Sequence, residues 1–67
     1  MKTLQMRRAE QAKFLANREI ALAEGDERRA AVERERGFVG MAEWFEEIAA
    51  KHRREAARLA AAAEVIN

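Results

Sequence analysis

The segment GFVGMAEWF, residues 37–45, constrains the fold of this 67-residue chain more than any other stretch. It holds three of the four aromatic residues, Phe38, Trp44 and Phe45, together with two of the three glycines. A protein this small exposes a contiguous apolar cluster of that size only when the cluster has a partner. We therefore expect the segment to be buried against a second copy of the chain, against another protein, or against both.

The length of the chain limits it to one domain, residues 1–67, near the size at which a single hydrophobic core gives only marginal stability. There are no cysteines, which excludes disulfides and thiolate metal sites and fits a reducing, cytoplasmic compartment. No apolar run has the pattern of a secretory signal or the length needed to span a bilayer, so we predict no membrane partner. Oligomerisation is the remaining source of stability.

Charge and composition point to long helices. Charged residues make up 37% of the chain, yet the net charge is only +1 because acids and bases are interleaved, which argues against a dedicated polyanion binder. Proline is absent, and the abundance of alanine, glutamate, arginine and leucine is typical of long helices and coiled coils. The scattered β-branched residues nowhere alternate with polar ones, so we predict an all-α fold.

The first half of the chain predicts one amphipathic helix, from about residue 3 to residue 24. The hydroxyl of Thr3 can cap its first turn, and Gly25 followed by Asp26 reads as the tight turn of an αα-hairpin. A seam of small side chains would let another helix approach closely: Ala9, Ala12, Ala16 and Ala23. Larger apolar side chains flank this seam, with Leu4, Leu15 and Leu22 on one side and Met6 and Ile20 on the other.

The second half predicts a long helix over about residues 27–65 that carries a heptad seam. The seam follows alternating steps of three and four: Phe38, Met41, Phe45, Ile48, His52, Glu55, Leu59, Ala62 and Ile66. Gly37 and Gly40 leave two alternatives open, because each glycine inside a helix costs about 1 kcal/mol relative to alanine and the pair would then break the helix at residues 37–40, giving three helices. We favour the uninterrupted helix, since an isolated middle helix of such polarity would have little to bury.

This arrangement predicts a homodimer. A hairpin folded at Gly25 sets the first helix opposite about residues 27–49 and leaves about 18 residues, roughly 27 Å of helix, beyond its end. Leu59, Ala62, Ala63 and Ile66 would then need a second chain to cover them. The predicted assembly is a coiled-coil or four-helix dimer.

His52 is the only histidine, and Glu55 lies on the same face of the predicted helix. We interpret the two as a polar layer in the seam that fixes the register of the dimer. The sequence supplies no second set of ligands or catalytic groups near them. We therefore predict no metal, no cofactor and no enzymatic activity.

The most basic patch of the chain consists of Lys51, Arg53, Arg54 and Arg58. It would contact phosphates if the protein were a nucleic-acid-binding adaptor, which we keep as an alternative function. We favour a solvated helix face instead, because Glu47, Glu55 and Glu64 interrupt the positive charge. No base-reading or glycine-rich phosphate motif accompanies the patch.

The residues that we predict to bind a partner protein are Trp44, Val39, Phe38 and Met41. Trp44 lies at the edge of the heptad seam, and Val39 and Val32 lie well off it, so all three are expected to stay exposed on the dimer. Tryptophan is also enriched among binding hot spots. Phe38 and Met41 also fall on the seam, which favours a structural role for them. The competing interpretation of Trp44 is a side chain half covered by the first helix near Leu4 or Arg8.

In architecture, the two helices, the Gly25–Asp26 turn and the seam from Phe38 to Ile66 resemble Rop-type hairpin dimers, which bind RNA. The small size and the Ala-, Arg- and Glu-rich sequence are also similar to small phage-encoded proteins that bind and disable a bacterial host protein, such as quorum-sensing anti-activators. That resemblance implies a non-enzymatic inhibitor or adaptor that occludes a surface on a host regulatory protein. A small structural or scaffolding protein is the third candidate.

Overall fold

The computed structural model describes residues 2–66, with the backbone alone described at Ile66, and consists of two α-helices. Helix α1 spans Leu4–Glu35, 32 residues, and helix α2 spans Val39–Ile66, 28 residues. The helices pack antiparallel as a hairpin, and the Cα atoms extend over 53 × 17 × 9 Å. The predicted all-α helical hairpin is confirmed.

Helix α1 begins where the sequence predicts. Thr3 has an extended backbone, and its hydroxyl oxygen accepts a hydrogen bond of 3.1 Å from the backbone N–H of Met6. This bond satisfies one of the amide groups that a helix leaves without a partner in its first turn.

Helix α1 ends in a glycine cap at Gly37. The backbone N–H of Phe38 donates to the carbonyl oxygen of Glu33 at 2.8 Å, and that of Gly37 donates to the carbonyl oxygen of Arg34 at 3.0 Å. These two bonds define a Schellman motif, which requires a left-handed residue at the position after the cap. Gly37 fulfils this requirement with φ +86°, and it is the only residue with positive φ among residues 2–66.

The prediction of a turn at Gly25 and Asp26 is wrong, and so are the helix boundaries that depend on it. Helix α1 continues through both residues, and the chain reverses at residues 36–38. Helix tolerates Gly25 because one interior glycine costs only about 1 kcal/mol, less than the packing of a long helix returns. Gly37 does separate two helices, while Gly40 lies in the first turn of α2, so the preference for an uninterrupted second helix is also wrong.

The predicted overhang of the second helix does not exist. With the turn at Gly37, the helices have 32 and 28 residues and pair along nearly their full length. No unpartnered end of α2 therefore calls for a second chain. Any argument for a dimer must come from the sides of the hairpin.

Among residues 2–65, the buried core of the hairpin consists of alanine alone. Buried alanines occur every seven residues in each helix, and each is at most 9% exposed: Ala9, Ala16, Ala23 and Ala30 in α1, Ala42, Ala49, Ala56 and Ala63 in α2, and Ala12 beside the first row. Small side chains at the contact allow two helix backbones to lie close together. The predicted alanine seam of α1 is confirmed, and the matching row of α2 replaces the larger residues that were predicted to face α1.

The close packing leaves the hairpin with two open faces. On each helix, the residue three positions after a buried alanine and the residue one position before it lie on one side of the alanine row. The residues one and four positions after it lie on the other side. Two bidentate ion pairs join the helices on the second of these faces, Arg34 with Glu46 and Arg53 with Glu27. We call this the charged face.

Candidate interaction surface

Large apolar side chains surround the turn and are exposed there. This tip cluster consists of Val32, Phe38, Val39, Met41 and Trp44, which are 44–59% exposed. The turn brings Val32 of α1 next to the first turns of α2, so the cluster draws on both helices. The four residues predicted to bind a partner therefore lie together at one end of the hairpin. Val32 was expected to be exposed but was not named as a binding residue, and it joins the cluster because the chain turns at residues 36–38.

Trp44 rests on Phe45 and remains more than half exposed. The two rings meet edge to face, with 5.1 Å between their centroids and 68° between their planes. Phe45 also contacts α1, where the guanidinium carbon of Arg29 lies 5.9 Å from the centroid of the Phe45 ring. The Phe45 ring therefore contacts Arg29 of α1 and packs against Trp44 of α2. The competing placement of Trp44 near Leu4 or Arg8 is wrong, because those residues lie at the opposite end of α1.

Phe38 and Met41 do not belong to the buried core. They are 59% and 50% exposed, whereas Ala42, in the next position of α2, is fully buried. The periodicity that assigned Phe38 and Met41 to a seam was real, but the face in contact with α1 is the neighbouring alanine row. Both residues consequently stand beside the helix contact rather than inside it.

The face opposite the charged face is rich in large aliphatic and aromatic side chains. We call it the apolar face and define it by five residues that lie on this same side of the two alanine rows: Leu15, Leu22, Phe45, Ile48 and Leu59. Leu22 is 42% exposed, and the other four are half-buried. Six of the predicted seam residues border or belong to this face: Phe45, Ile48, His52, Glu55, Leu59 and Ala62. The predicted role of the Ile66 side chain lies outside the described residues.

A polar layer crosses the middle of the apolar face within one chain. His52 Nδ1 lies 2.5 Å from Glu19 Oε2, and His52 Nε2 lies 3.7 Å from Asp26 Oδ2. Glu19 and Asp26 are one heptad apart on α1, so the ring of His52 sits between them. Glu55 instead forms an ion pair with Arg58, one turn along α2. The structure thus gives His52 two partners in its own chain, where the sequence interpretation had matched it with Glu55 across a dimer.

The four basic residues predicted as a patch on α2 divide between two surfaces. Arg53 donates two hydrogen bonds to Glu27 on the charged face, at 2.7 and 2.8 Å, and this contact lowers the pKa of the Glu27 carboxyl from its usual value. Arg58 pairs with Glu55, and its hydrogen bond is the main cause that lowers the pKa of the Glu55 carboxyl. Lys51, Arg54 and Arg58 follow steps of three and four residues along α2, so they share one side of that helix, away from Arg53.

Among residues 2–66, no three or more His, Asp or Glu side chains are arranged so that they could bind a metal ion. Glu19 and Asp26 contact opposite ring nitrogens of His52, and those nitrogens point away from each other. Neither described helix is long and apolar enough to cross a membrane.

Comparison of the chain with known protein families, with curated proteins and with solved structures found no match in any of the three. The interaction surface must therefore be interpreted from its own chemistry.

Proposed function

We propose that the protein is a non-enzymatic protein–protein interaction module whose tip cluster docks into an apolar groove of another protein. The observation that carries this proposal is the exposure of five large apolar side chains around one turn. Monomeric proteins rarely expose contiguous apolar patches, and such patches mark interaction sites when polar residues surround them. Here the surrounding residues are charged, and they include Arg36 and Glu43.

The composition of the tip cluster suits a binding anchor. Trp44 and Phe38 present large rings with few rotatable bonds, so their burial in a partner would cost little conformational entropy. Val39 and Met41 extend the apolar surface, and methionine adapts to irregular pockets.

The tip is also fixed before any partner binds. Gly37 and Phe38 are tied to α1 by the two hydrogen bonds of the cap, and α2 starts directly afterwards. Phe45 holds Trp44 at the edge of the helix pair. A partner would therefore meet a preformed surface and would not pay for ordering a loop.

An inhibitor or adaptor is the role that this shape supports best. The hairpin is narrow, 17 × 9 Å across its Cα atoms, so its end can enter a groove that a larger domain could not reach. Occupation of such a groove would exclude the natural ligand of a regulatory protein. The resemblance to small phage-encoded inhibitors makes a bacterial regulatory protein the first class of partner to test.

The experiment compares two aromatic residues. Trp44 is 55% exposed at the tip, and Phe14 is 67% exposed on the outer side of α1, far from the turn. Immobilised wild-type chain, Trp44→Ala and Phe14→Ala are each incubated with a bacterial lysate, and retained proteins are identified by mass spectrometry. We expect Trp44→Ala to lose a partner that wild type and Phe14→Ala retain, with affinity lowered about 30-fold or more, as for a hot-spot tryptophan.

Circular dichroism provides the control for folding. Both variants should keep the wild-type helix content, because neither side chain is buried. Retention of the same partner by Trp44→Ala, or equal loss of it in both variants, would refute docking through the tip.

A further inference from the structure

We infer that a second copy of this chain covers the apolar face, so that two hairpins form a four-helix bundle. The inference concerns Leu15, Leu22, Phe45, Ile48 and Leu59 in the middle of the hairpin, and it does not depend on docking through the tip cluster. It replaces the overhang argument, which the position of the turn removed.

The first support is the surface area of the single chain. The hairpin exposes 5150 Å², whereas a folded monomer of 7.6 kDa exposes about 4300 Å² by the usual scaling of area with mass. The excess is about 850 Å². A specific protein–protein interface of standard size buries about 800 Å² on each partner. One interface with a second copy would therefore bring the exposed area of each chain to that of an ordinary folded protein.

The second support is what a single chain fails to bury. Every buried hydrophobic residue among those described is alanine. The larger side chains of the apolar face lie beside the alanine rows, with one surface against the hairpin and the other in water. Packing two such faces together would enclose these side chains between four helices, which is where a helix bundle places its large apolar residues.

The charges select which face is covered. The charged face carries the Arg34–Glu46 and Arg53–Glu27 pairs, and their guanidinium and carboxylate groups would lose water if a partner covered them. On the apolar face, no ion pair within residues 2–65 joins the two helices except at the central layer, where His52 already contacts Glu19 and Asp26. Glu55 pairs with Arg58 within α2. Covering that face leaves these contacts in place.

The occupant of the apolar face is a second copy because the excess area of one chain is close to that of one standard interface and because the face can pair with itself. A face-to-face pair related by a two-fold axis uses the same residues twice, so apolar surface meets apolar surface without a separate partner sequence. It also leaves Val39, on the other side of α2, outside the interface.

The test uses the full chain and two matched substitutions in α1, in each of which glutamate replaces an aliphatic residue. Leu22 lies on the apolar face and is 42% exposed, whereas Ile20 lies on the charged face and is 36% exposed. Sedimentation equilibrium over a range of micromolar concentrations should give wild type and Ile20→Glu a mass of twice 7.6 kDa. Leu22→Glu places one carboxylate from each copy in the interface and should raise the dimer dissociation constant on the order of 100-fold or more.

Helix content is recorded for the same samples. One supporting outcome is that Leu22→Glu sediments with the mass of a monomer and also loses helix content, while Ile20→Glu keeps the mass of the dimer and its helix content. Folding is then coupled to dimerisation, and the inference stands. A monomeric wild type at all concentrations would overturn it, as would equal behaviour of the two variants. A monomeric wild type that captures another protein through Leu22 would assign the face to that protein. Failure of the tip proposal would appear separately, as partner retention by a dimeric Trp44→Ala variant.

Discussion

Replacement of Gly25 and Gly37 by alanine should change stability in opposite directions. Gly25 lies in a regular stretch of α1, and a Cβ atom added there would lie 3.7 Å from an Arg28 guanidinium nitrogen, an ordinary contact. Gly37 has φ +86°, a backbone conformation that side chains rarely adopt. The two substitutions therefore distinguish a hairpin turning at Gly37 from one turning at Gly25.

The magnitudes follow from backbone preferences. Alanine is favoured over glycine inside a helix by about 1 kcal/mol, so Gly25→Ala should raise the free energy of unfolding by that amount. The left-handed conformation costs alanine about 1–2 kcal/mol, and a stiffer unfolded chain returns about 0.4–1 kcal/mol of it. Gly37→Ala should therefore lower the free energy of unfolding by about 1 kcal/mol. In a domain of this size each change corresponds to a shift in Tm of about 4–8 °C.

Thermal and urea unfolding followed by circular dichroism measure both effects, with every sample at one protein concentration because association would shift Tm. Gly40→Ala is the control, since a Cβ atom added there meets no other atom within 4 Å. It should not destabilise the protein. A destabilised Gly25→Ala together with an unaffected Gly37→Ala would refute the position of the turn.

Two further predictions concern the contact between the helices. Ala23→Leu should lower the free energy of unfolding by about 1–3 kcal/mol, because a leucine in a closely packed row forces the helices apart, whereas exposed Ala21→Leu should change it by less than about 0.5 kcal/mol. Equal urea midpoints for the two variants would contradict the alanine core. Glu27→Gln should reduce stability at neutral pH, and its difference from wild type should shrink as the pH falls below 4.5, the ordinary pKa of a glutamate. The hydrogen bond from Arg53 lowers the pKa of Glu27 in the folded state, so its stabilisation is present above the unfolded pKa and disappears as the pH falls through the folded one. Urea midpoints that differ equally at both pH values would argue against this pair.

The sequence was sufficient for the helical class and for one half of the helix contact. Thr3 was recognised as a cap because its hydroxyl precedes an amphipathic stretch, and the small residues of α1 were recognised by their spacing. The second alanine row was missed, since large side chains such as Phe45 and Leu59 dominate any hydrophobic pattern. Helices that approach closely instead place their smallest residues face to face. The seven-residue spacing of Ala42 and Ala49 was the available signal.

The position of the turn was not predictable from glycine alone. Gly25 with Asp26 and Gly37 with Arg36 are both acceptable ends for a helix on local grounds. What separates them is the pairing of the two alanine rows, which requires the chain to reverse between Ala30 and Ala42. That requirement becomes visible only after both rows have been recognised. The same error explains why Val32, although expected to be exposed like Trp44 and Val39, was not grouped with them as a binding residue.

The alanine rows have a consequence for alignment of the two helices. Because each row repeats every seven residues, a slide of α2 along α1 by one heptad, about 10.5 Å, would again place alanine opposite alanine. The rows thus set how closely the helices approach without choosing among alignments. A slide in one direction would move His52 from its place between Glu19 and Asp26 to a place beside Ala12, but a slide in the other would again offer it two carboxylates. The short connection capped by Gly37 therefore selects a single alignment, and the Arg53–Glu27 pair forms in that alignment because a slide would bring Arg53 to Ile20 or Arg34 instead.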